Sequence, residues 1–342
     1  MPSLEFNKDE MIDLVDRIVE KTFEVDYSWD WPAGVAFYGV SLAYQALKKQ
    51  RYLDLLKNWI DEYMEFGLPP ITVNSSSMGH TLLALYLETS EEKYLELARK
   101  KADFLVSEAP KFGELGILEH TVGGRVLFPE QAWIDTIFMS ALFLVRMGHA
   151  LKDEIYMAEG LRQFKGHEFY LQDKNTQLYY HGFDNLKQNH MSGIFWARGN
   201  AWAAYSMAKA LGLVDVKEPA FMEMASSLRD QLSALMNLQS ENGLWHTVLL
   251  DSESYEETSG SAGIAAALAL RGHGTPKSFK ALQKAVDGLI KKVDENGVVR
   301  DVSTGTAVMN TTAGYLMTSK KRIEGWGQGL ALVFFAHVLM RE

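Results

Sequence analysis

An aspartate set among aromatic and aliphatic side chains is the strongest chemical feature of this chain. The stretch Phe128-Pro129-Glu130-Gln131-Ala132-Trp133-Ile134-Asp135-Thr136-Ile137-Phe138-Met139 ends a loop and opens an apolar helix, with Asp135 at the junction. Trp133 and Phe138 strip water from an ionised carboxylate, so the Asp135 carboxyl is expected to rise toward the range where it donates a proton near neutral pH. The competing reading is an aspartate that caps a helix N-terminus. A second group lies in Ile194-Phe195-Trp196-Ala197-Arg198-Gly199-Asn200-Ala201-Trp202, where one guanidinium stands between two indoles. Arg198 can grip a carboxylate through two N–H bonds, and the faces of Trp196 and Trp202 suit the C–H face of a sugar ring. Alternatively the arginine is stacked between core tryptophans. His181, in Leu178-Tyr179-Tyr180-His181-Gly182, can hydrogen-bond a sugar hydroxyl or carboxylate, and His120 is a weaker candidate of the same kind. Trp29 and Trp31 invite the sugar-platform reading and the core reading equally.

Other chemistries find no support. The chain has no cysteine, which excludes disulfides, thiolate nucleophiles and Cys-based metal sites. There is no His-Glu-x-x-His, no calcium-loop spacing, no phosphate-cradling glycine motif and no Gly-x-Ser-x-Gly, so neither a metal nor a cofactor is expected. The acidic run Asp251-Ser252-Glu253-Ser254-Tyr255-Glu256-Glu257 reads as a solvated loop. A net charge of −10 without a basic cluster argues against nucleic acid and anionic membrane surfaces as partners. Apolar stretches are too short to span a bilayer, and the first ten residues lack a basic-then-apolar leader pattern, so a cytoplasmic protein, monomer or homodimer, is expected.

These candidates must be held by a repeating helical frame. Six loops containing Trp, Gly, Ser or Asn each open a long apolar helix, marked by Gly34, Gly79, Asp135, Gly199, Gly263 and Gly327, at steps of 45, 56, 64, 64 and 64 residues. Between them lie amphipathic stretches such as 91–107, 153–171, 218–238 and 276–293. Helices apolar nearly all round, alternating with amphipathic ones, predict an inner ring of six wrapped by an outer ring of six. That is an all-α (α/α)6 barrel, read as a single catalytic domain over 1–342; an open helical solenoid is the alternative. Strand-like pieces at 178–182 and 244–250 are expected to form short hairpins on the loop face. In such a barrel the N-termini of the inner helices gather on one face, and the candidate residues fall at those starts.

The motifs around Asp135, His181 and Arg198, together with Thr258-Ser259-Gly260-Ser261-Ala262, resemble those of the unsaturated rhamnogalacturonyl hydrolases of glycoside hydrolase family 105, with unsaturated glucuronyl hydrolases as more distant relatives. The likeness runs from about Trp29 to Trp326. It implies an enzyme acting on small oligosaccharides that end in a 4,5-unsaturated uronic acid left by a polysaccharide lyase. By the same resemblance Asp135 is the catalytic acid, and His181, Arg198, Trp196 and Trp202 line the sugar site. Trp31 is a ring-stacking residue, and Trp133 and His120 complete the substrate-binding set. Where relatives often carry a second aspartate, this chain has Asn74, suited to a sugar hydroxyl. Ordinary glycosidases need two carboxylates about 5 to 9.5 Å apart, whereas an unsaturated uronide is a vinyl ether, and one acid/base group suffices to protonate C4 and direct water to C5. The alternatives are an inverting glycosidase pairing Asp135 with Asp30, Glu130 or Asp184, a sugar epimerase using His181 with His120 or His246, and a non-catalytic sugar-binding protein.

Overall fold

The computed structural model describes residues 4–123, 127–272 and 275–341. Along the chain, outer and inner helices alternate: α1 (Lys8–Phe23) outer, α2 (Trp31–Leu47) inner, α3 (Gln50–Phe66) outer, α4 (Gly79–Thr89) inner, α5 (Glu92–Ser107) outer, then α6 (Phe143–Leu151) inner. The alternation continues with α7 (Glu154–Leu171), α8 (Ala197–Ala210), α9 (Pro219–Asn237), α10 (Thr258–Arg271) and α11 (Pro276–Ile290). A short α12 (Thr312–Leu316) precedes the last inner helix, α13 (Gly325–Leu339). This is the (α/α)6 barrel that the repeat predicts.

Burial explains which helices go where. Every residue of α13 is buried, as are residues 258–269 of α10, so both can only sit inside. In α1, by contrast, Met11, Leu14, Val15, Ile18, Val19 and Thr22 are buried at helical spacing, and the remaining face meets solvent. The ring closes where α13 packs against α2. Glycine is required there: a Cβ on Gly39 would lie 2.3 Å from the Gly329 carbonyl oxygen, and one on Gly329 would lie 2.3 Å from that of Val35.

The inner helices share a direction, which polarises the barrel. Cations meet carbonyls near the C-terminal ends of two of them: Arg271 donates to Ala208 O (3.1 Å) in α8 and Arg341 to Ala269 O (3.2 Å) in α10. The N-terminal ends open on the other face, where the connecting loops are longest.

Strand pairing differs from the expected local hairpins. The β1 (Lys111–Phe112) and β2 (Ile117–Leu118) pair is local, but β3 (Gln131–Trp133) pairs with the distant β4 (Gly182–Asp184), in register Trp133↔Gly182. Residues 178–182 thus contribute only Gly182 to a strand, and 244–250 makes isolated bridges, Trp196↔Val248 and His246↔Glu256. Among the described residues no helix is long and apolar enough to cross a membrane.

Candidate active site

The β3–β4 pairing assembles the reactive centre. The Ile134 amide donates to His181 O (3.0 Å), which sets residues 134–135 beside His181 although 46 positions of chain separate Asp135 from it. Asp135 then opens the third inner helix, whose first turns over Ile137–Leu142 are π-helical, a widened winding frequent at functional sites. The carboxylate lines a cleft of about 290 Å³ with Trp31, Asn74, His120, Trp133, Trp196 and Arg198, near the lower end of ligand-site sizes. Val122, Phe128 and Gly305–Ala307 complete its wall. Asp135 is the only carboxylate among the described residues of that lining.

The two oxygens of Asp135 differ. Oδ2 is buried and stands 3.4 Å from His181 Nε2, a loose contact short of a well-formed hydrogen bond. Among the described residues Oδ1 has no protein partner, and it is the oxygen open to the cleft. Burial pushes the carboxyl up; the hydrogen-bonding of His181, the positive charge that His181 and His120 carry when protonated, and Arg198 push it down harder, and it lies below its ordinary value. This corrects the expectation of a raised value. The physical reason is positional: Phe138 points away into the core, packed on Tyr38, His80 and Trp202, while polar donors face the carboxylate instead.

Both histidines are held neutral. Burial pushes His120 down to about 4 against the pull of Asp135, and its ring stacks on Trp133 at 4.4 Å and 8° with Nδ1 3.0 Å from Thr136 Oγ1. His181 is also lowered by burial, opposed by Asp135, and lies against Trp196 with ring centroids 4.2 Å apart. The imidazole of His181 is wholly buried and reaches the cleft only through Asp135.

Arg198 does not offer a free fork. Its guanidinium lies over Trp196 (4.4 Å) and Trp326 (5.4 Å) and donates to Ser259 Oγ, Ser303 O, Ser303 Oγ, Thr304 O and Thr306 Oγ1 at 2.5 to 3.2 Å. Glu257, fully buried, stands 3.4 Å away as its counter-charge. Arg198 therefore braces the 303–306 wall of the cleft and supplies positive potential, in place of the two-pronged carboxylate grip expected from its type. Trp202 is likewise corrected: it has no exposed surface and packs on Phe138 beneath the cleft. Trp29 is a core residue stacked on Trp59. Trp31 does line the cleft, with Trp326 stacked behind it at 4.3 Å. The Asn74 side chain, 6% exposed, also lines the cleft, without a protein partner among the described residues.

Three contributors escaped the sequence reading. Glu257, placed in a solvated loop, is instead the buried cap of α10 and accepts from the Gly260 and Ser303 amides and from Ser259 Oγ. Its position just before Thr258-Ser259-Gly260 was the available signal. Tyr315 touches His181, with nothing in its local sequence to mark the role, and Trp326, at the start of the last inner helix, backs Trp31. Among the described residues no cluster of three or more His, Cys, Asp or Glu is placed to hold a metal ion.

One carboxylate with two buried imidazoles and an indole platform lies at the loop face of an (α/α)6 barrel, and comparison with known proteins places the chain among the glycoside hydrolases. The chain belongs to Glycosyl Hydrolase Family 88, which it matches over residues 4–342. It is 52% identical over 341 residues, 99% of this chain and 98% of the relative, to the unsaturated rhamnogalacturonyl hydrolase YesR of Bacillus subtilis strain 168. Among solved structures it resembles a possible member of family GH105 from Salmonella enterica serovar Paratyphi A, with TM-score 0.93 and 25% identity, covering 100% of this chain and 96% of that one. The unsaturated glucuronyl hydrolase of Bacillus sp. GL1 shares the fold at TM-score 0.69 and 16% identity, covering 97% and 95%.

Proposed function

We propose that this enzyme removes a 4,5-unsaturated uronic acid from the nonreducing end of lyase-generated oligosaccharides, with unsaturated galacturonyl-rhamnose as the favoured substrate. The observation that carries this reading is the single carboxylate of the cleft. A conventional glycosidase needs two, and its candidate partners are otherwise engaged. Asp30 caps α2 through the Trp31 amide (2.8 Å), Glu130 accepts from Asn185 (2.6 Å), and Asp184 accepts from the Lys187 amide (3.0 Å). An epimerase would need both imidazoles against the sugar, and His181 is sealed behind Asp135. The likeness to YesR supports the rhamnose-linked substrate, and the absence of cysteine suits action in the reducing cytoplasm.

In the proposed reaction the unsaturated ring stacks on Trp31, Asn74 bonds a hydroxyl, and Oδ1 of Asp135 protonates C4. Positive charge develops at C5 and O5, and Asp135, now anionic, takes a proton from the water that adds to C5. The resulting hemiketal opens and releases the aglycone. A carboxyl lowered in the empty enzyme can still act as acid, because the incoming uronate brings negative charge and displaces water, and both raise it. The test incubates the protein with a panel of lyase-generated disaccharides and follows loss of the enol-ether ultraviolet absorbance with product masses. Products lacking the added water, or equal cleavage of saturated uronides, would refute the assignment.

A further inference from the structure

The geometry points to Tyr315 as a positioning residue that fixes the tautomer of His181 and so confines the catalytic proton of Asp135 to Oδ1. The inference rests on the hydrolase reading above for its catalytic meaning, though not for its structural content. Tyr315 lies in α12, 134 positions from His181, and is 1% exposed. Its ring packs with Trp196 and Val248 in a small cluster of its own, apart from the main core.

The proton placement follows from counting donors. The Met309 amide donates to Tyr315 Oη at 3.3 Å, occupying one of the oxygen's lone pairs. Ser192 Oγ lies 3.4 Å from the same oxygen, while His181 Nδ1 lies much closer, at 2.7 Å. The phenol's one proton given to the short contact makes Nδ1 the acceptor and puts the ring proton on Nε2, the arrangement that the carboxylate facing Nε2 selects. Nε2 faces Asp135 Oδ2 at 3.4 Å. The opposite tautomer would point a bare nitrogen lone pair at a carboxylate oxygen.

The consequence falls on Asp135. With Oδ2 facing an N–H, a proton arriving on the carboxyl is directed to Oδ1, the oxygen that meets the cleft. His181 thus acts as a fixed donor rather than as an acid or base, and Tyr315 keeps it so. The other polar groups facing the pair are His120 from the loop before β3 and Arg198 from α8, and neither bonds the His181 ring. Without the phenol, Nδ1 loses its donor and the imidazole is free to flip its proton.

The experiment uses nitrogen NMR of the histidine rings in the free enzyme, with the His181 signals assigned by their loss in His181→Asn, alongside steady-state kinetics. Wild type is expected to show Nε2–H and a bare Nδ1 for His181. Tyr315→Phe, which keeps the ring, should move those signals toward a tautomer mixture and lower kcat about tenfold or more, with KM within about twofold. An Nδ1–H tautomer in wild type would overturn the proposal even if Tyr315→Phe failed to fold. So would a Tyr315→Phe variant that loses activity with unchanged His181 signals, because that pattern marks a packing role alone. Failure of wild type to consume any unsaturated uronide would remove the hydrolase reading and leave the tautomer result standing separately.

Discussion

Glu257→Gln tests whether the cleft wall depends on one buried charge pair. The carboxylate accepts on both sides: Oε1 from the Ser303 amide (3.0 Å) with Arg198 at 3.4 Å, and Oε2 from the Gly260 amide (2.6 Å) and Ser259 Oγ (2.9 Å). Glutamine has nearly the same shape, yet whichever way its amide is turned, an NH₂ faces backbone N–H donors. Arg198, 1% exposed, meanwhile loses the one carboxylate paired with it among the described residues. Breaking a buried pair costs about 3–5 kcal/mol. With an unfolding entropy of about 2.1 cal/mol/K per residue over 342 residues, that corresponds to a fall in Tm of roughly 4–7 °C. Differential scanning calorimetry measures it, and kcat/KM should fall as well, because Arg198 no longer holds Ser303 and Thr304. The double variant Arg198→Met/Glu257→Gln should be less destabilised than the two single losses added together, since no orphaned charge remains. A Tm within about 1 °C of wild type for Glu257→Gln would show that the pair is not what organises the wall.

Asp135→Asn should lower kcat at least about 10²-fold with little change in Tm, because the amide keeps the shape but cannot cycle a proton; near wild-type turnover would move the chemistry elsewhere. The pH profiles should separate. In the free enzyme the Asp135 carboxyl lies below its ordinary value, so the acid form is lost early as pH rises and kcat/KM falls from the acidic side. The bound uronate raises the group, so kcat should hold to higher pH; coincident limbs in the two profiles would deny that shift. Trp31→Ala should raise KM with a modest stability change, whereas Trp202→Ala should cost about 3–5 kcal/mol as a core deletion and leave the KM of the folded fraction unchanged. A KM effect at Trp202 in a stable variant would contradict its placement beneath the cleft.

The family-level likeness and the helical frame were both legible in the chain. The 64-residue steps between Asp135, Gly199, Gly263 and Gly327 record a repeated pair of helices, and burial on all faces separates α10 and α13 from amphipathic α1. Asp135, Trp31 and Trp196 could be named because each sits at or beside an inner-helix start, and Asn74 through the family resemblance, at the place where relatives often carry a second aspartate. Contacts between distant segments set their electrostatics, and those are not encoded locally. Pairing of β3 with β4 puts His181 beside Asp135 and lowers a carboxyl that its aromatic neighbours in sequence would raise. Arg198 looked like a free cation between indoles, because its acceptors at 303–306 and its counter-charge Glu257 come from other turns of the barrel. Trp202 and Trp31 are the same residue type at similar helix starts. One points into the ring and the other out over its mouth, and only the packing of Phe138 and Trp326 against them decides which can touch a sugar.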